Sequence, residues 1–196
     1  MTRIQDARGV EAELVPGSNG VFDVVVDGKL IYSKHRTGRF PDPEEILGFR
    51  PGSERQLMDY AQLVDVMQQL AAASPRIEMR SVGTSPLGRT IYVAFISSPD
   101  NLSRLDELQA INKRLALDPE IPEAERAELV AAGRVFVMEA LSMHSGEVGP
   151  SQSLPLWAHS MATADDPEVL AQLDDVVQMM VLCHNPDGMD MVVEHY

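Results

Sequence analysis

Tyr60, Leu63, Val64, Met67, Leu70 and Ala71 recur at helical spacing, so a single apolar stripe predicts an amphipathic helix. Asp59 stands before it as an N-cap, and Ser74-Pro75 closes it, because a residue preceding proline is steered out of the α region. Elsewhere apolar positions run without interruption. Thr90 to Ser97, Val135 to Ala140 and Val176 to Cys183 predict strands, and Ile91 to Ile96 is apolar on both faces, as a central strand would be. Arg76 to Ser81 pairs with Thr90 to Ser97 around Gly83-Thr84-Ser85-Pro86-Leu87-Gly88-Arg89. Further helices are expected at about 102 to 115, between Pro122 in a first turn and Gly133 just past an end, over 150 to 162 with a start or interruption at Pro155, and from Asp166-Pro167. Near the N-terminus, residues 20 to 33 hold two β-rich runs around Asp27-Gly28, a hairpin signal. Proline and glycine then crowd the stretch from Arg39 to Gly52, which reads as a connection and places a boundary near residues 38 to 52. Helices alternating with apolar strands imply an α/β layered fold.

With 196 residues and 44% apolar content the chain can bury a real core. Its formal charge of −14, from 30 acidic against 16 basic residues with no basic cluster, argues against nucleic acid as a partner. The longest purely apolar runs are too short to cross a bilayer, so no membrane span is expected. The first residues, Met1 to Asp6, lead into no apolar stretch of the secretory type, which suits a cytoplasmic setting for the chain as it stands. A lone cysteine, Cys183, rules out an internal disulfide framework and reads as a small buried hydrophobe.

Candidate chemistry comes directly after the strand at 135 to 140. Ser142-Met143-His144-Ser145-Gly146-Glu147 sits between that strand and a helix, where open α/β sheets bind ligands beyond a strand's C-terminal end. An imidazole with a carboxylate suits zinc, and catalytic zinc takes three protein ligands, His₂Glu among the known sets. By itself, however, His-x-x-Glu equally describes a solvated surface pair. Of the other histidines, His184 at a strand end, His159 on a helix, His195 near the end and His35 after the hairpin are not read as ligands.

Three motifs occur in order: Gly83-x-Ser85-x-x-Gly88-Arg89, then His144-x-x-Glu147, then Asn185-Pro186-Asp187-Gly188. Together they resemble the carboxypeptidase A/B-like zinc carboxypeptidase family over roughly residues 40 to 196. The resemblance implies an α/β fold, a mixed sheet flanked by helices, amounting to the N-terminal part of that catalytic domain. It implies a hydrolase that releases C-terminal residues from peptides or proteins, with Zn²⁺ as cofactor and His144 and Glu147 as its first two ligands. Asn185, Asp187 and Gly188 are then scaffold residues shaping a turn beside the substrate groove. Gly146 departs from the Arg or Asn often found before the ligand Glu. The family's third ligand, general base and carboxylate-binding arginines would fall beyond Tyr196, so this chain alone is expected to be incomplete or inactive. A non-catalytic fragment or binding module is the alternative. Family members are often secreted or periplasmic.

Val10 to Gly17, Gly20 to Val24, Asp27 to Leu30 and Gly38 to Pro41 resemble the C-terminal half of the selenoprotein W/T/H-like redox family. That family carries a Cys-x-x-Cys or Cys-x-x-selenocysteine pair, which this chain lacks, so a redox remnant is the other alternative. The expected division is a β-hairpin segment over 1–46 and the carboxypeptidase-like part over 47–196. Phe40 to Ile46 would suit either family, as a fusion at a shared string would.

Overall fold

A computed structural model describes residues 40–196 in full and, as backbone, the strands at 23–26 and 29–33. The chain forms two compact units, Met1–Asp42 and Pro43–Tyr196. In the first, β1 (Asp23–Val26) and β2 (Lys29–Ser33) pair antiparallel, with Val24 opposite Tyr32 and an irregularity between Val24 and Val25. The Asp27-Gly28 turn itself, like His35, lies outside the described residues.

In the second unit, α1 (Pro43–Leu47) and α2 (Tyr60–Ala73) precede a hairpin of β3 (Ile77–Thr84) and β4 (Thr90–Ile96). Two helices come next, α3 (Pro99–Ser103) and α4 (Leu105–Leu117), then α5 (Glu123–Ala132) and β5 (Val135–Ala140). The remainder is α6 (Gly149–Thr163), α7 (Pro167–Asp175), β6 (Val176–Val181) and α8 (Pro186–His195). The sheet runs β3-β4-β6-β5, with β5 and β6 parallel and the other pairs antiparallel, so it is a mixed sheet of an α/β fold flanked by helices.

Alternation along the central strands builds two cores. Val93 and Phe95 of β4, with Val177 and Val181 of β6, pack with Leu102, Leu105, Leu108 and Ile111 of α3 and α4. Residues of the other parity, Ala94, Ile96 and Met180, are buried on the opposite face, where α2 and α6 pack together. Helix α2 obeys its stripe: Leu63, Met67 and Leu70 are fully buried. Asp59 caps it by accepting from Gln62 N at 2.8 Å, while Gln62 Oε1 accepts from Asp59 N at 2.9 Å, a complete capping box.

Several elements differ from the expectations. The stretch read as a connection contains the short helix α1. Helix 102–115 is broken at Arg104, whose φ of −123° leaves the helical region. The break has a tertiary cause. Asn101 Nδ2 donates to Leu173 O, Asp174 O and Ser97 Oγ, which pins α3 to the corner before β6, while α4 lays its own stripe onto the sheet. Pro155 neither starts nor interrupts α6, which runs through it. One backbone bond to the Ser151 carbonyl is lost there, but Leu154, Pro155 and Ala158 are buried and hold the helix by packing. No helix among the described residues is long and apolar enough to cross a membrane.

Candidate metal centre

The parallel pair β5 and β6 ends with Ala140 opposite Val181. Beyond it the two chains stay zipped: Leu141 N donates to Val181 O at 3.2 Å, His184 N to Leu141 O at 2.7 Å and Asn185 N to Ser142 O at 3.3 Å. This extension delivers the loop at 141–148 at the sheet's C-terminal edge, as the strand and motif order predicts.

Ser142 makes the turn. It is buried, with a left-handed φ of +49°, uncommon outside glycine. Its hydroxyl donates to Glu147 O at 2.7 Å and accepts from Ser151 N at 3.2 Å, so one side chain closes the loop onto the start of α6. Ser151 Oγ in turn donates to Leu182 O at 2.7 Å.

Within this loop His144 and Glu147 come together. Glu147 N donates to His144 O at 3.0 Å, and the Glu147 carboxylate accepts from His144 N at 3.3 Å. The side chains meet at 2.9 Å between His144 Nδ1 and Glu147 Oε2, and both are open to solvent, 75% and 59% exposed. The imidazole and backbone hydrogen bonds from His144 hold the Glu147 carboxyl below its ordinary value, so it stands ready as an anion.

Two donors on one tetrahedral zinc, at the usual bond lengths, stand roughly 3.3 Å apart. The 2.9 Å separation is a few tenths shorter, as a hydrogen bond would be, and a small opening of the pair would admit the ion. The chemistry of the two donors therefore fits zinc, as two members of a three-donor set. Among the described residues no group of three or more His, Cys, Asp or Glu side chains converges. His184 is exposed and is tied through its backbone to Leu141, His159 lies on α6, and His195 closes α8.

Asn185, Asp187 and Gly188 form the first turn of a helix rather than a free turn. Asn185 is the N-cap, accepting from Gly188 N at 3.0 Å, and Pro186 takes the first helical position, where its missing N–H costs nothing. Gly188 at the fourth position fits a β-turn signature equally well, so only the continuation into α8 separates the two readings. Asp187 reaches back to the β3–β4 hairpin. It accepts from Ser85 Oγ at 2.8 Å, Leu87 N at 3.1 Å and Arg89 Nη1 at 2.8 Å. Arg89 Nε also donates to Asp190 at 2.7 Å, and Asp190 accepts from Tyr60 N at 2.8 Å. Burial pushes the Asp187 carboxyl up, and the bonds from Ser85, Leu87 and Arg89 outweigh it, leaving the group below its ordinary value.

The sequence pattern singles out Ser85 and Arg89 only as motif letters, names Ser142 and Ser145 only as members of the loop string, and leaves Asp190 unremarked. For Ser85 and Arg89 the one sequence signal is that they stand in a motif about a hundred positions before Asn185-Pro186-Asp187-Gly188, with no local partner to explain them. Cys183 is buried, as expected, and burial pushes its thiol up, which keeps it protonated.

The family model described as zinc carboxypeptidase matches residues 63–195, and the chain belongs to that family. A second model, described as the Rdx family, matches residues 3–48, the selenoprotein W/T/H-like segment. No curated protein matches the chain.

Proposed function

We propose that this chain carries part of the active site of a zinc-dependent metallocarboxypeptidase, with His144 and Glu147 as two of the metal's ligands and a peptide or protein C-terminus as substrate. The observation that carries the reading is the approach of His144 Nδ1 to Glu147 Oε2 in an exposed loop at the C-terminal edge of the sheet. When bound, zinc supplies Lewis-acid polarisation of a carbonyl and a water acidified toward neutral pH. His144 and Glu147 contribute the hold on the ion, and the lowered Glu147 carboxyl keeps one donor anionic across the neutral range. Asn185, Asp187 and Gly188 act as scaffold beside the groove. In the same reading residues 1–46 form the redox-family segment and 47–196 the carboxypeptidase-like part.

The pair supplies two donors and no third converges among the described residues, so zinc held by the pair binds weakly and turnover requires a third ligand and a general base. The second reading, a binding module without catalysis, is favoured by the lack of a third converging donor among the described residues. A redox role has no support in the side chains, since the single cysteine is buried.

Calorimetric titration of the purified chain with Zn²⁺, beside a His144→Ala/Glu147→Ala variant, tests the reading. Binding that disappears in the variant supports the site. Equal binding in both, or none in either, would sink it. Chelator-sensitive peptidase turnover by the chain alone would show that the donor set and base are complete after all.

A further inference from the structure

The geometry points to Gly188 as a positioning residue for the His144–Glu147 pair: the first turn of α8 sets where the metal loop stands, by direct contact with Ser145. The inference rests on the metal-site reading above and goes beyond it in naming what holds the pair in place.

A glycine in the first turn of a helix needs a reason. Within a helix alanine is favoured over glycine, by about 1 kcal/mol at interior positions. Gly188 has no left-handed φ, so conformational freedom does not explain it. Space does. A Cβ at this position would stand 2.2 Å from Ser145 Oγ, 2.6 Å from Asn185 Nδ2 and 2.9 Å from Ser145 Cβ. A hydroxyl can rotate away and an amide can swing, but the Ser145 Cβ moves only with its backbone. Ser145 lies between the two ligands, so displacing it displaces them. Asn185 Nδ2 also reaches Ser145 Oγ, at 3.4 Å, and Asn185 N holds Ser142 O.

Of the two surfaces in contact, the loop is the one that yields. The turn of α8 is clamped from behind by Ser85, Leu87 and Arg89 on Asp187, and by Arg89 and Tyr60 on Asp190. His144, Gly146 and Glu147 are exposed. The three sequence motifs are thus one mechanical unit: the hairpin anchors Asp187, Asp187 anchors the helix start, and Gly188 with Asn185 backs the loop that carries His144 and Glu147.

The test is a double-variant cycle on the full chain, with Zn²⁺ as the probe and thermal midpoint and amide exchange tracked in parallel. Gly188→Ala is expected to weaken zinc binding about tenfold or more, the effect usual for a residue that orients metal ligands. In a Ser145→Gly background, where both clashing Ser145 atoms are gone, the same substitution is expected to change affinity less than about twofold. Amide exchange over residues 143–148 should rise in Gly188→Ala and return in the double variant, while exchange in α2 stays constant. Unchanged affinity and exchange in Gly188→Ala would overturn the proposal, as would a loss that Ser145→Gly does not rescue, including loss of the fold in both. Should the unaltered chain bind no zinc, the metal-site reading fails by itself, and the exchange data still decide whether Gly188 positions the loop.

Discussion

Arg89 on the β3–β4 hairpin and Asp187 on the first turn of α8 meet at 2.8 Å across 98 positions of sequence. Both are partly shielded, and the same carboxylate takes Ser85 and Leu87 as well. This is where the hairpin and the helix that backs the loop of His144 and Glu147 are joined, so disturbing it should be felt in stability and at the loop.

The acid limb of stability should report Asp187. Its folded-state value is depressed, so its contribution is present above the ordinary carboxylate value of 3.8 and is lost as pH falls through the lower folded value. Thermal melts between about pH 7 and about pH 3 should show Asp187→Asn less stable than the unaltered chain at neutral pH, with the difference shrinking at the acid end. Parallel curves for the two proteins would mean the carboxylate is not part of the clamp.

Leu108 is fully buried in the cluster between α4 and the sheet. Replacing it with alanine should cost about 3 kcal/mol, the usual loss of a buried leucine with partial collapse of the cavity. Urea unfolding monitored by circular dichroism measures this, and a loss below about 1 kcal/mol would show that the cluster repacks freely.

At the start of α2 the reciprocal bonds between Asp59 and Gln62 satisfy two backbone N–H groups that the helix cannot. Asp59→Ala should destabilise the protein by about 1 kcal/mol, and Asp59→Ser much less, since a hydroxyl can take over the cap. Equal effects from both would point to a role for the carboxylate's charge.

Self-association should start at β5. This strand lies at the sheet edge, and Val135, Val137 and Met138 are 61%, 42% and 65% exposed. An apolar edge with unpaired backbone groups is a template for pairing. Sedimentation of the chain should show concentration-dependent association, and Met138→Lys or Val137→Lys should shift it toward monomer. A monodisperse monomer at high concentration without either change would contradict this.

Local physics carried much of the fold. Apolar runs marked β4, β5 and β6, and the stripe from Tyr60 to Ala71 with its Asp59 cap marked α2, because burial and capping act over neighbouring residues. The break at Arg104 was not legible, since it depends on Asn101 meeting Leu173 and Asp174 from a distant part of the chain. Pro155 within α6 escaped for the same reason: a local rule was overridden by packing. Helix α8 was hidden because Asn185 to Gly188 satisfies turn and helix-start signatures alike, and the two part only where the backbone past Gly188 keeps coiling to His195.

At the site, His144 and Glu147 could be singled out from the chain alone, because their spacing after an apolar strand and the order of the flanking motifs are visible in the sequence. The count of one cysteine likewise excluded dithiol chemistry without any coordinates. That His144 and Glu147 face one another, that Ser142 closes the loop, and that Ser145 leaves no room for a Cβ at Gly188 emerged only in three dimensions. Those relations depend on how β5 and β6 lie side by side and on which side chain fills a given ångström, and long-range close packing of that kind leaves no periodicity in a sequence.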